Sequence, residues 1–290
     1  MPETQVEKVP LHRELLWPTG GRIAVVFNLA WEMWTPGATS GVGPMGNVMA
    51  DGCFDPNADS YGRYNATAGI ARLLRIMERH GIEASLLTSG LVAEQLPHQV
   101  RGYAAAGHEI VAHGLGQNLV FPTLTPDQAQ HSINRTTELI ETATGQKPKG
   151  WISPRVTSST GNQCEFARAG YLWHGDVIDE DLPYLQRFGD AEILAIPMSV
   201  EFNDLTHAMR FGRTPGQFVE LVTEALDALK RQPAETIILD IFAHGHCYGR
   251  PAAAWAIDEI ARVCAADGSV WLTTRSKIAD HCRATQPPTT

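Results

Sequence analysis

Short β-branched, apolar runs alternate with longer amphipathic segments along most of this chain, a rhythm that demands parallel strands joined by crossover helices. The pattern predicts a first strand over 22–31 and a helix over 65–80, where Ile70, Leu73, Leu74 and Met77 recur at helical spacing and Gly81 supplies the stop. A strand over 83–88, a helix over 91–106 closed by Gly107, and a strand over 108–113 follow. The segment 124–144 begins on Thr125-Pro126-Asp127, a good helix start, and ends at Gly145, a good stop. Further strands are predicted over 149–153, 171–177, 193–200 and 236–244, with helices over 161–169, 216–231 and 251–266 and a last strand over 270–274. Seven or eight strands in this order favour a distorted (β/α)7-8 barrel over an open sheet, and no glycine-rich dinucleotide fingerprint follows the first strand. Between residues 35 and 64 lies a stretch rich in Gly, Asn and Asp without periodicity, which reads as a long loop able to act as a lid.

At 290 residues the chain suits one α/β barrel domain. A formal net charge of −9 and a pI near 5.6, with no Lys/Arg-rich run, argue against nucleic acid as a partner and leave small molecules and copies of the chain itself. The five cysteines are scattered, with no Cys-x-x-Cys pair, so neither a disulfide framework nor a zinc knuckle is expected. Residues 1–15 carry charges without an apolar leader, and no run approaches the length that crosses a membrane; a cytoplasmic protein is the expectation.

In a barrel of this kind, chemistry collects beyond the C-terminal ends of the strands. Glu32, His113, Arg155, Asp176, Glu201 and His244 each follow an apolar run. Glu32 sits among Trp31, Met33 and Trp34, where desolvation would raise its pKa toward that of a working general base; the alternative is a solvated loop acid or a helix cap. His113 and His244 are candidates for proton carriers or oxyanion donors, against the alternative of core histidines bonded to backbone carbonyls. His244-Gly245-His246 also reads as a metal pair, which with His113 or Glu32 could form a zinc site. Arg155 offers a planar fork for a substrate carboxylate or carbonyl pair, or an ion pair with Asp176 or Asp181. Of Trp31, Trp34, Trp151 and Trp173, the pair Trp31 and Trp151 is assigned to the pocket as a stacking surface for a flat ring; His108 and His174 are assigned structural roles.

An ordered set of segments resembles the polysaccharide deacetylase family, and within it the allantoinase-like branch. It comprises Trp17-Pro18-Thr19-Gly20-Gly21-Arg22-Ile23-Ala24-Val25, Gly107-His108-Glu109, Gly150-Trp151, Asp181-Leu182-Pro183, Asn203-Asp204 and Gly249-Arg250-Pro251. The resemblance implies a distorted (β/α) barrel that hydrolyses carbon–nitrogen bonds. Metal-dependent members end the first strand with aspartates and take two histidines from one His-x-x-x-His loop. Here the strand ends Phe27-Asn28-Leu29-Ala30-Trp31-Glu32, and the loop reads His113-Gly114-Leu115-Gly116-Gln117. The allantoinase-like branch shares those departures, so the resemblance implies ring-opening hydrolysis of a small cyclic amide, imide or ureide without a catalytic metal. In that reading Glu32, His113 and His244 are catalytic, and Trp31, Trp151, Arg155, Asp204 and Gln117 bind substrate, Asp204 through a substrate nitrogen; the alternative for Asp204 is a turn-stabilising role. The branch also implies a homo-oligomer, a dimer or tetramer. Two alternatives stand beside it: a metal-dependent N-deacetylase with zinc on Glu32, His113 and His244, and a barrel that binds a small ligand without turning it over.

Overall fold

The computed structural model describes residues 5–11, 15–39, 42–43, 49–50, 53–232 and 236–285. Its strands are β1 (Glu7–Pro10), β2 (Ile23–Trp31), β3 (Ser85–Thr88), β4 (Glu109–Ala112), β5 (Gly150–Trp151), β6 (Trp173–His174), β7 (Tyr184–Phe188), β8 (Ala191–Ala195), β9 (Ile237–His244) and β10 (Val270–Thr273). The helices are α1 (Pro56–Tyr64), α2 (Ile70–Arg79), α3 (Gly90–Gln95), α4 (Pro97–Ala105), α5 (Pro126–Thr144), α6 (Thr160–Arg168), α7 (Pro215–Lys230), α8 (Ala254–Ala266) and α9 (Arg275–Thr285). None is long and apolar enough to cross a membrane.

Seven strands run parallel in the order β9, β2, β3, β4, β5, β6, β8, as expected of repeated βα units. Between the ends of this run a single parallel bridge joins Asn203 to Phe242, with the Phe242 N–H donating to the Phe202 carbonyl at 2.9 Å. The barrel is therefore irregular at this seam. β10 lies along the first half of β2, and the antiparallel ribbon β1–β7 continues outward from β8. That ribbon and α9 are absent from the sequence expectations; β1 is only four largely exposed residues, and α9 starts two residues after β10 with no intervening turn signal.

Helix ends follow their local chemistry. Thr125 and Gln128 form a reciprocal capping box at α5, Pro126 occupies its first turn, and Gly145 closes it at φ +78°. The helix predicted over 65–80 starts earlier, at Asp55, whose carboxylate accepts from the Asn57 and Ala58 N–H groups. It then widens into a π turn over Asn65–Gly69 before α2. Of the segment 35–64 read as a lid loop, the last nine residues are thus helical, while 40–41, 44–48 and 51–52 lie outside the described residues.

Strand periodicity sorts the interior into two layers. Odd positions of β2 (Ile23, Val25, Phe27, Leu29, Trp31) pack beneath the helices, whereas Ala24 and Val26 face inward with Leu87, Val111, Ile152, Ile238 and Phe242. In step with the inward set lie Asn28 of β2 and Asp240 of β9, both fully buried. Arg275 enters between them, 2.6 Å from Asp240 Oδ1 and 3.2 Å from Asn28 Oδ1, while its Nη1 donates to the Ile196 carbonyl. This ionic layer lies on the interior face, deeper in the barrel than the strand-end residues that follow.

Candidate active site

The inward register that carries Asn28 and Ala30 continues to Glu32; the one that carries Asp240 and Phe242 ends at His244; Val111 is followed in step by His113. Three elements distant in sequence thereby deliver their side chains to one place. Glu32 Oε1 lies 3.5 Å from His113 Nε2 and 4.0 Å from His244 Nε2, and Oε2 lies 3.8 Å from His246 Nδ1. The four residues are 2–7% exposed, so their charges interact with little solvent screening.

Each group is held from behind. His113 Nδ1 donates to the Ile152 carbonyl at 2.7 Å, leaving Nε2 toward Glu32. His244 Nδ1 donates to Asp204 Oδ1 at 2.6 Å, and Asp204 Oδ2 accepts from the His244 and Tyr248 backbone N–H groups at 2.8 and 3.0 Å. Asn65 Oδ1 accepts from the Glu32 N–H at 3.3 Å, and its Nδ2 reaches Glu32 Oε2 at 3.4 Å and His246 Nδ1 at 2.9 Å.

Burial by itself pushes the Glu32 carboxyl up, but the His244 charge, the hydrogen bond from His113 and the neighbouring His246 outweigh it and hold the group at about 2. This reverses the upward shift expected from its aromatic neighbours in sequence, because the apolar wall is outnumbered by imidazoles. Burial also works against a charged His244, yet the Asp204 and Glu32 carboxylates raise it to about 9. His246 has no such anchor, and burial drives it down to about 4 against the pull of Glu32. At neutral pH the site therefore holds a carboxylate, an imidazolium and a neutral imidazole.

Several sequence assignments move. Trp31 takes the odd register, packs edge-on to Tyr103 at 5.4 Å and lies in the helix-facing layer, away from the pocket. Trp151 likewise stacks on Phe166 at 4.9 Å and donates to Ser153 Oγ. The aromatics beside the site are Trp34 and Tyr61, whose rings stand 5.7 and 5.4 Å from His246, edge-on. Asp204, assigned to substrate nitrogen, is fully buried with its oxygens engaged by His244 and Tyr248; the turn is made instead by Asn203 Oδ1, which accepts from the Leu205 and Thr206 N–H groups. Gln117 lies beside His113 but turns its Nε2 onto the His113 carbonyl at 3.1 Å. Arg155 is exposed, and it and Val156 adopt left-handed backbone at φ +60° and +53°. Pro154 packs so closely on Gly114 that a Cβ there would meet it at 2.8 Å, so the exposed Arg155 follows directly on a contact with the residue after His113. Asp176 binds the Ser153 N–H and hydroxyl rather than Arg155. His108 and His174 are tied to Ala84 N and to Gln186.

Asn65 was missed, although it opens an Asn-x-Thr pattern; it is fully buried, so that match has no bearing on glycosylation. His246 entered the sequence reading only as a metal donor. The metal centre of metal-dependent deacetylases does not fit this donor set: no group of three or more His, Cys, Asp or Glu among the described residues is arranged to hold a metal. Gln117 replaces the second loop histidine, β2 supplies Asn28 and Ala30 before Glu32, and His246 Nδ1 is turned to Asn65.

Residues 53–171 match the polysaccharide deacetylase family. A peptidoglycan deacetylase of Helicobacter pylori is 27% identical over 137 residues, 47% of this chain and 46% of that protein, so the chain aligns with less than half of this relative. Among solved structures, PuuE allantoinase superposes with a TM-score of 0.82 at 26% identity, covering 94% of both chains. A probable polysaccharide deacetylase from Pseudomonas aeruginosa PAO1 superposes with a TM-score of 0.80 at 25% identity, covering 94% of this chain and 95% of that one. The chain is thus similar to the polysaccharide deacetylase family over residues 53–171 and shares its fold with PuuE allantoinase over nearly its whole length.

Proposed function

We propose that the chain is a C–N hydrolase that opens a small cyclic amide, imide or ureide, with its own side chains rather than a resident metal carrying the chemistry. The observation that carries this reading is the buried Glu32–His244–Asp204 array, joined by His113, at the strand ends where metal-dependent members keep their aspartates. The likeness to PuuE allantoinase over 94% of the chain supports the ring-opening class.

The geometry suits a push and pull of protons across a water. A water against Glu32 Oε1 passes its proton to that carboxylate, which His113 Nε2 steadies from 3.5 Å, as the water oxygen bonds to the substrate carbonyl carbon. When the tetrahedral adduct collapses, the C–N bond breaks and the nitrogen takes the proton from His244 Nε2. Loss of that positive charge removes the largest influence holding Glu32 down, so the base strengthens as the acid is spent. Glu32 then returns its proton to His244, and the carboxylic acid formed releases its remaining proton to solvent and departs as a carboxylate. In a cyclic imide or ureide the departing nitrogen is itself acylated, which stabilises its electron pair and lowers the demand for Lewis-acid help. In this reading Trp34 and Tyr61, both edge-on to His246, would border a flat ring, and the exposed Arg155 would meet an anionic substituent. The proposal includes a small-molecule substrate, a homo-oligomeric protein and a cytoplasmic location.

The test is turnover of allantoin, hydantoin, succinimide and dihydrouracil, alongside acetate release from N-acetylated sugars, before and after metal stripping. Ring opening that survives chelation supports the proposal. Acetate release that depends on added zinc, with every ring untouched, overturns it in favour of a metal-dependent deacetylase.

A further inference from the structure

We propose that His246 is the site's neutral hydrogen-bond donor to the substrate carbonyl oxygen, with its proton fixed on Nε2 by Asn65. The substrate class rests on the ring-opening reading above; the proton position does not.

One atom beside the ring has a fixed role. The Glu32 backbone N–H can only donate, and it points to Asn65 Oδ1 at 3.3 Å, so the Asn65 amide is oriented with oxygen toward Glu32 N. Its Nδ2 then has two protons to give, and the neighbours at 2.9 and 3.4 Å are His246 Nδ1 and Glu32 Oε2. His246 Nδ1 must therefore accept. In the neutral ring the remaining proton sits on Nε2, for which no bonding partner lies among the described residues. Trp34 and Tyr61 both stand edge-on to the His246 ring, at 5.7 and 5.4 Å between centroids.

The backbone is built to bring Asn65 this close. The π turn at Asn65–Gly69 rides on Gly245: a Cβ on Gly69 would lie 2.1 Å from the Gly245 carbonyl oxygen, and one on Gly245 would lie 2.8 Å from the Asn65 carbonyl oxygen. Glycine at both positions lets the helix and the His244-Gly245-His246 segment touch. π turns are frequent at functional sites because the extra residue re-aims a side chain.

A neutral donor has a chemical advantage here. A second imidazolium beside Glu32 would suppress the base further, whereas a neutral N–H polarises a carbonyl without adding charge. Burial favours the uncharged ring. The two neighbouring imidazoles, with centroids 5.5 Å apart, thus divide the work: His244 delivers a proton, and His246 steadies the oxygen that gains negative charge.

Ring-nitrogen NMR of the protein at pH 7, with the His246 signals assigned by their loss in His246→Gln, tests the proton position without substrate. A neutral Nε2–H tautomer is expected; an Nδ1–H tautomer or a charged ring overturns the proposal. Asn65→Asp, whose carboxylate cannot donate, should convert His246 to an Nδ1–H or charged form. On a ring that the wild type opens, His246→Leu should lower kcat by about 10²-fold with little change in KM, and His246→Gln, which keeps an N–H donor, should recover part of it. Equal rates in the Leu and Gln variants, both folded by circular dichroism, overturn the donor role. A wild type that opens no ring ends the functional reading separately and removes the substrate role of His246 with it.

Discussion

Replacing Asp204 with asparagine would test whether the buried carboxylate sets the charge on His244. Asp204 presents only acceptors, and three N–H groups, His244 Nδ1, His244 N and Tyr248 N, converge on it at 2.6–3.0 Å. The Asp204→Asn side chain keeps the shape but loses the charge and must turn an NH₂ toward one of those donors. The rise of His244 from 6.5 to about 9 is worth about 3 kcal/mol in favour of the charged ring, with Asp204 the foremost of the raising influences. Without it, Glu32 alone is left to oppose burial, and the pKa should fall by about two units, to near its ordinary value. At pH 8 the protonated fraction would then drop from about nine-tenths to about one-tenth. Titration of the His244 ring by NMR reads this directly, and the alkaline limb of kcat/KM, near pH 9 in the wild type, should move down with it. Stability follows the same sign: the raised His244 contributes fully below pH 6.5, and that contribution is lost as pH rises through about 9. Urea midpoints of the variant should therefore depend less on pH across that window. A His244 that still titrates near 9 in Asp204→Asn would refute the assignment of its charge to Asp204.

Glu32→Gln should lower kcat by about 10²–10⁴-fold with the fold retained, measured on whichever ring the wild type opens. Because Glu32 is depressed from 4.5 to about 2, its contribution to stability is present above pH 4.5 and lost as pH falls through about 2; the variant should lose that acid dependence in urea unfolding between pH 5 and 2. Arg275→Met strands Asp240 in the fully buried layer, where burial already pushes its carboxyl up, and should cost about 3–5 kcal/mol by urea denaturation. Adding Asp240→Asn to that variant should recover part of the loss; a further loss would show that the pair is not the source.

The order of parallel strands was legible because each apolar run sits between helix signals that are local and chemically specific, such as Thr125, Pro126 and Gly145 around α5. The meeting of Glu32, His113 and His244 followed from strand-end position alone. The aromatics were misassigned for a reason already in the sequence: Trp31 is one residue out of step with Glu32, and parity sends it under the helices, while Trp34 keeps step. Other features are not local. Asp204 reads as a turn residue until a chain segment forty positions away supplies His244. Asn65 looks like the start of a helix, since nothing near it in sequence reveals the π turn or the contact with Gly245. The direction of the Glu32 shift was lost similarly, because its three imidazole neighbours come from elsewhere in the chain.

β2 is gripped along its whole length, by β9 on one edge and by β10 and β3 in succession on the other. A slip of one position would have to break all three ladders together, and it would exchange the acid for an indole at the mouth of the barrel. The depth of the carboxylate is thus dictated by hydrogen bonds that begin nine residues upstream, at Ile23. Insertions in β2 should consequently abolish chemistry even where every side chain discussed above is still present.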